Sequence, residues 1–160
     1  MAAGIDLLLG ATAAAVDSSH VSIQADASGY LYKVNSSGTT YPLDEFYVTT
    51  DMTDVSTASS AFNVAPAAGV LQRVYTVLHS AITGADANLT AEFAGVAVNG
   101  FAIVVAQSGS AAGDIDTDTP TAAHASTDVA AGDAVELITD GASSTAARLT
   151  GVFIFKRTAL

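Results

Sequence analysis

The sequence predicts an all-β protein built as an antiparallel sandwich, and three observations lead there. Apolar and polar residues alternate over short stretches. Turn residues recur about every 8–12 positions between those stretches. No segment carries apolar residues at helical spacing over a useful length.

The elements follow in order. Residues 1–20 are Ala-rich with one apolar knot, Leu7, Leu8 and Leu9. This start has no basic leader region and carries Asp6, so it reads as an arm or short helix and not as a secretory signal. Val21, Ile23 and Ala25 alternate with Ser22, Gln24 and Asp26, a half-buried strand pattern. Ser28-Gly29 turns the chain into Tyr30–Val34, which predicts a β-hairpin over 21–34. A second turn is expected at Asn35–Gly38, and a β-prone run at Phe46–Thr50. Residues 51–60, polar and small, read as a linker. The composition shift near residue 60 divides the chain into an N-terminal arm, 1–60, with its hairpin, and a sandwich domain, 61–160.

Within the second part, Val70–Ser80 is rich in β-branched residues, and Leu89, Ala91 and Phe93 alternate with Thr90 and Glu92. Asn99-Gly100 is the strongest hairpin signal, expected to join 96–98 to 101–105. A long small-residue loop is expected over 107–132, then strands over 134–139 and 147–156. The run Val152–Phe155 is apolar without a break, so both faces of that strand should be covered. A tight hairpin, a long crossing loop and a closing strand fit a jelly roll best, although periodicity does not separate it from an immunoglobulin-like sandwich.

Composition narrows the function. Ala, Ser, Thr and Gly make up about half the chain, so large core side chains are scarce and must be concentrated. Sixteen acids against five bases leave a net charge of -11. With no Lys/Arg cluster to neutralise phosphates, neither nucleic acid nor an anionic membrane is an expected partner. No apolar run is long enough to span a bilayer as a helix. The absence of Cys removes disulfides, thiolate nucleophiles and thiolate metal sites.

His20, His79 and His124 are expected at strand ends, in solvent or at an interface. No GxSxG elbow accompanies them, and no P-loop or GxGxxG is present. Asp114, Asp116 and Asp118 form D-x-D-x-D, the first half of a calcium loop. The match then fails: Thr119 stands where a Gly is needed, Pro120 follows, and Ala125 occupies the twelfth position. These acids are expected to face water. Glu45, Glu92 and Glu136 lie in or beside strands, with Glu92 and Glu136 expected to face outward and nothing to select a catalytic pair. Lys33, Arg73, Arg148, Lys156 and Arg157 are scattered. The expectation is therefore no catalytic, metal or cofactor site.

Three stretches carry a family likeness: FNVAPAAGVLQRVYTVLHSAITGADANLT (62–90), VVAQSGSAAGDIDTDTPTAA (104–123) and AAGDAVELITDGASSTAARLTGVFIF (130–155). Over about 60% of the chain they resemble small tailed-bacteriophage virion proteins that decorate or cement the capsid. Residues 1–60 lie outside that likeness. The resemblance implies a non-enzymatic jelly roll that forms homo-oligomers, most often trimers, on the outer capsid surface. Its implied partners are the major capsid protein and further copies of itself, with no cofactor. The alternative is a glycan- or receptor-binding jelly-roll module of a head fibre or tail. Against it, the expected loop 107–132 holds no Phe, Tyr or Trp.

Overall fold

The computed structural model describes residues 8–9, 22–25, 31–34, 40–121 and 124–158. All regular structure in them is β. The chain forms two compact units, residues 1–45 with 156–160, and Phe46–Phe155.

The first unit holds a four-stranded sheet in the order β1-β2-β3-β4. Its strands are β1 (Leu8–Leu9), β2 (Ser22–Ala25), β3 (Leu31–Val34) and β4 (Thr40–Pro42). The expected hairpin is present, with β2 and β3 antiparallel from Ser22↔Val34 to Ala25↔Leu31. Its turn at Ser28-Gly29, like Asn35–Gly38, lies outside the described residues. The Leu knot supplies β1, which runs parallel to β2. β4 ends on Pro42, which has no N–H to give a ladder. The following turn is tied by Leu43 N–H to Leu31 O, 2.9 Å, and by Leu31 N–H to the Asp44 carboxylate.

The second unit begins at Phe46 and not at 61. Strand β5 (Glu45–Met52) alternates strictly, with Phe46, Val48, Thr50 and Met52 buried. The stretch expected as a linker is therefore partly strand. Its remainder, 53–58, is pinned: Val55 is fully buried, its N–H donates to Ala147 O at 3.0 Å, and its carbonyl accepts from Thr139 Oγ1 at 3.3 Å. Composition misplaced the boundary because Val55 is the one anchor among small polar residues.

Further strands are β6 (Ser59–Val64), β7 (Gly69–Leu78), β8 (Ala87–Phe93), β9 (Val96–Ala97), β10 (Ile103–Val105), β11 (Ile115–Asp118), β12 (Asp128–Val129), β13 (Ala134–Thr139) and β14 (Leu149–Arg157). They form two sheets. One has the order β10-β8-β13-β6, with β9 also on β8; the other has β11-β7-β14-β5, with β12 also on β7. The loop expected over 107–132 thus contains two edge strands on β7. The sequence hides them because Asp, depleted in strands, alternates through β11, β12 has only two residues, and an edge strand needs little apolar content.

The hairpin expected at Asn99-Gly100 is also corrected. β9 and β10 do not pair with each other; both lie along the same edge of β8, antiparallel to it. The tight turn is Ala94-Gly95, which joins Phe93 to its partner Val96. Both turn residues have positive φ, 49° and 78°, as a type I′ turn demands. Asn99-Gly100 is instead a bump between β9 and β10, closed by Phe101 N–H to Val98 O at 3.1 Å. It drives Val98 and Phe101 into the core. Ala94 is exposed and pays a steric penalty in this left-handed backbone that Asn or Gly would reduce. Ala94→Asn is expected to raise stability by about 0.5–1 kcal/mol, measured as the urea midpoint at unchanged m-value.

Large side chains are concentrated as the composition required. Five of the six Phe fill the space between the sheets, and only Phe62 is exposed. Phe46 stacks on Phe155 at 5.1 Å, Phe93 leans on Phe155 at 5.4 Å and meets Phe153 edge-on at 6.1 Å. Phe153 also stacks with Phe101 at 6.4 Å. Inward parity along β7 shifts between Leu71 and Val74, leaving Gln72 and Arg73 both exposed, the mark of a β-bulge. One open edge is closed by a side chain: Asn63 on β6 donates Nδ2–H to Thr49 O on β5 at 2.6 Å, and its Oδ1 accepts Val64 N–H.

Two buried hydroxyls, Thr50 Oγ1 and Thr76 Oγ1, have no hydrogen-bond partner among the described residues. Each is desolvated without compensation. Thr50→Val and Thr76→Val are each expected to raise stability by about 1 kcal/mol, read by thermal unfolding. A drop in Tm would mean that the hydroxyl is held by a partner after all.

Candidate functional site

Of the D-x-D-x-D acids, Asp116 and Asp118 lie on an edge strand, while Asp114 is exposed just before it, as expected. Asp114 precedes β11 and accepts Ala111 N–H at 2.6 Å. Asp116 is opposite Thr76 on β7. Burial first, then the neighbouring Asp114 charge, pushes the Asp116 carboxyl up. Asp118 accepts from His124 Nε2 at 3.2 Å and from Ala102 N–H at 3.4 Å. Asp114 and Asp118 thus serve separate partners, and the three carboxylates share no focus. No group of three or more His, Cys, Asp or Glu among the described residues could hold a metal ion.

His124 is not solvated. Its side chain is only 7% exposed, and its Nδ1 accepts Thr121 N–H at 3.0 Å. That leaves the proton on Nε2, donated to Asp118. The pair ties the end of β11 to the loop beyond it. No sequence signal could find it, because the contact depends on how the loop folds back. His20 lies outside the described residues.

A second cluster sits on the same sheet, at the ends of β5, β7 and β14. His79 Nε2 meets Thr150 Oγ1 at 2.9 Å, and Arg148 grips Asp51 through Nε at 2.7 Å and Nη2 at 2.5 Å. A hydroxyl beside an imidazole invites comparison with a hydrolase. The orienting acid of such a triad must hold the far ring nitrogen; Asp51 instead reaches Thr150, at 3.5 Å, and Arg148. The cluster is a strand-to-strand tie between β5 and β14.

The lowered carboxylates are surface groups. Arg148 holds Asp51 below the usual range, Ser56 N–H and hydroxyl do so for Asp54, and Asn88 for Asp140. Their stabilisation is present above the ordinary carboxylate range and fades as pH falls through the lowered values. Asp116 has the opposite sign: its penalty is absent in acid and enters as pH rises through its raised value.

The outward faces remain. On the β11-β7-β14-β5 sheet, Tyr75, Val77, Ile115, Thr150 and Val152 line a shallow apolar groove. Val152 and Ile154 are half-buried there, while Phe153 and Phe155 point inward. Arg73 lies over the Tyr75 ring, 5.7 Å from its centre, and donates to its hydroxyl at 2.8 Å. On the other sheet, register aligns Phe62, Glu136, Glu92 and Ala97 across β6, β13, β8 and β9. Phe62 and Val64 are 63% and 58% exposed. Alternation turns each Glu outward, but that they oppose each other is a matter of register.

The chain matches no protein-family profile and no curated protein. Among solved structures it is similar to the catalytic unit of a thermostable GH87 α-1,3-glucanase from Streptomyces thermodiastaticus strain HF3-3, with 17% identity and a TM-score of 0.42. The match covers 73% of this chain and 26% of the glucanase unit, so the chain spans about a quarter of that unit's length.

Proposed function

We propose that the sandwich is a jelly roll and that the chain is a non-enzymatic virion protein. It binds the outer surface of a tailed-phage capsid as a homo-oligomer, a trimer, and stabilises the shell by bridging coat subunits. Strand order supports the jelly roll. Eight main strands divide four and four, and the chain changes sheets at every step except β8 to β10. First and last strands are neighbours, β5 beside β14, as are the second and second-to-last, β6 beside β13. Two interlocked Greek keys produce that order.

The observation that carries the structural role is the contrast between inside and outside. The interior is filled by Phe rings and aliphatic chains, with only Thr50, Thr76, Thr139 and Ser143 as buried polar residues among those described. The exterior keeps Tyr47, Phe62, Val64, Val96, Val104 and Ile115 about half or more exposed. Large apolar side chains kept on the outside suit contact with other protein surfaces. The test is the particle itself. Mass spectrometry and image reconstruction of purified virions should find the chain in many copies on the outer shell, and particles lacking it should lose DNA at lower temperature. Its presence only in a tail or fibre, or its absence from virions, overturns the reading.

A further inference from the structure

The two sheets differ sharply in charge. None of the strands β6, β8, β9, β10 and β13 contains a Lys, Arg or His. Arg73 lies on β7, and His79 and Arg148 adjoin the ends of β7 and β14, all belonging to the other sheet. On the sheet without bases, Glu92 and Glu136 are directly opposed on neighbouring strands. Both are half-buried, and neither carboxylate has a hydrogen bond or ion pair to any described residue. Like charges in that position destabilise a sheet. The free protein therefore carries a repulsion that a neutral residue at either position would remove.

The surroundings of this pair are apolar. Phe62 stands beside Glu136 in the same row, and Val64 lies one row further along β6. Val104, 49% exposed, belongs to the strand on the far side of β8. An anionic centre with an apolar margin is complementary to a cation carried on an apolar stem.

We propose that this outer face, centred on Glu92 and Glu136, is the surface that meets the coat shell, and that its occupant is a coat-subunit segment presenting an arginine or lysine beside an apolar side chain. The inference rests on the proposed function and names the contact within it. A guanidinium can bridge two carboxylates with its planar fork while its face lies against Phe62. Charge selects this occupant over a second copy. A two-fold contact through the face would bring two Glu pairs together, and Arg148 and Arg73 are already engaged with Asp51 and Tyr75. The net charge of -11 would also speed the approach to a basic surface.

The test uses the full chain and DNA-free capsids of the parent phage stripped of it, with binding titrated at low and high salt. The variants are Glu92→Gln, Glu136→Gln, their combination and Phe62→Ser, with Asp128→Asn on the other sheet as a charge control. The double Gln variant is expected to bind about tenfold or more weakly with a flatter salt dependence, Phe62→Ser to bind more weakly, and Asp128→Asn to bind as the wild type does. Free Glu92→Gln should melt no lower than the wild type, which separates lost contact from lost fold. Wild-type binding with undiminished affinity in the double variant overturns this face while leaving the proposed function intact. Failure of the wild type to bind overturns the proposed function and the coat subunit as occupant. Larger oligomers of the double variant in sedimentation would mark the face as a contact between copies, and also overturn the proposal.

Discussion

Gly141→Ala is expected to cost about 3 kcal/mol or more, a large share of an ordinary domain's stability. Gly141 has φ +71°, and a Cβ there would stand 2.1 Å from Ala58 N and 2.7 Å from Thr57 C. Those are backbone atoms of the pinned loop 53–58, so no side-chain rotation relieves the overlap. The left-handed conformation adds about 1 kcal/mol to the steric cost. Gly95→Ala isolates that second part: Gly95 has φ +78° with nothing within 4 Å of the added carbon. Chemical denaturation of both variants should separate strain from collision. Equal losses at the two positions would show that the loop yields.

Phe153→Ala should cost about 3–5 kcal/mol, the usual range for emptying a buried aromatic site. Phe153 is fully buried and contacts the rings of Phe93, Phe101 and Phe155. These come from three different strands or their flanks, so collapse into the void would have to move both sheets. Phe153→Leu keeps most of the volume and should lose distinctly less. The comparison is read from urea midpoints. Similar losses for Ala and Leu would point to ring stacking, and not the cavity, as the main term.

What was legible in the sequence was what local alternation encodes. The strand expected over 134–139 coincides with β13, and the alternation of Leu89, Ala91 and Phe93 places them inward as read. The hairpin over 21–34 needed only two alternating runs and a turn. Errors arose where a local signal was outweighed by distant partners. Asn99-Gly100 has the better turn chemistry, yet the type I′ turn is formed by Ala94-Gly95, because burial of Val98 and Phe101 fixes the path along β8. β11, with its alternating Asp, was hidden because its place depends on β7 rather than on its own composition. The same limit applies to the candidate surface. Glu92 and Glu136 were each visible as outward acids, but their opposition exists only through the pairing of strands 44 residues apart in sequence. The His124–Asp118 bond likewise required a folded loop.

The adjacency of β5 and β14 has a kinetic consequence. Asp51 and Arg148, which clasp across that junction, are separated by 97 positions. A ribosome adding about 5–20 residues per second would leave β5 without this neighbour for roughly 5–20 s. During that interval Phe46 and Val48 lack Phe155 and the rest of its strand to rest on, whereas the β8–β9 hairpin can form as soon as it emerges. Such long-range closure places the domain among slow folders, in the millisecond-to-second class once synthesis is complete. Refolding from denaturant should therefore show early structure in the β8–β9 region and late protection of the amides in β5.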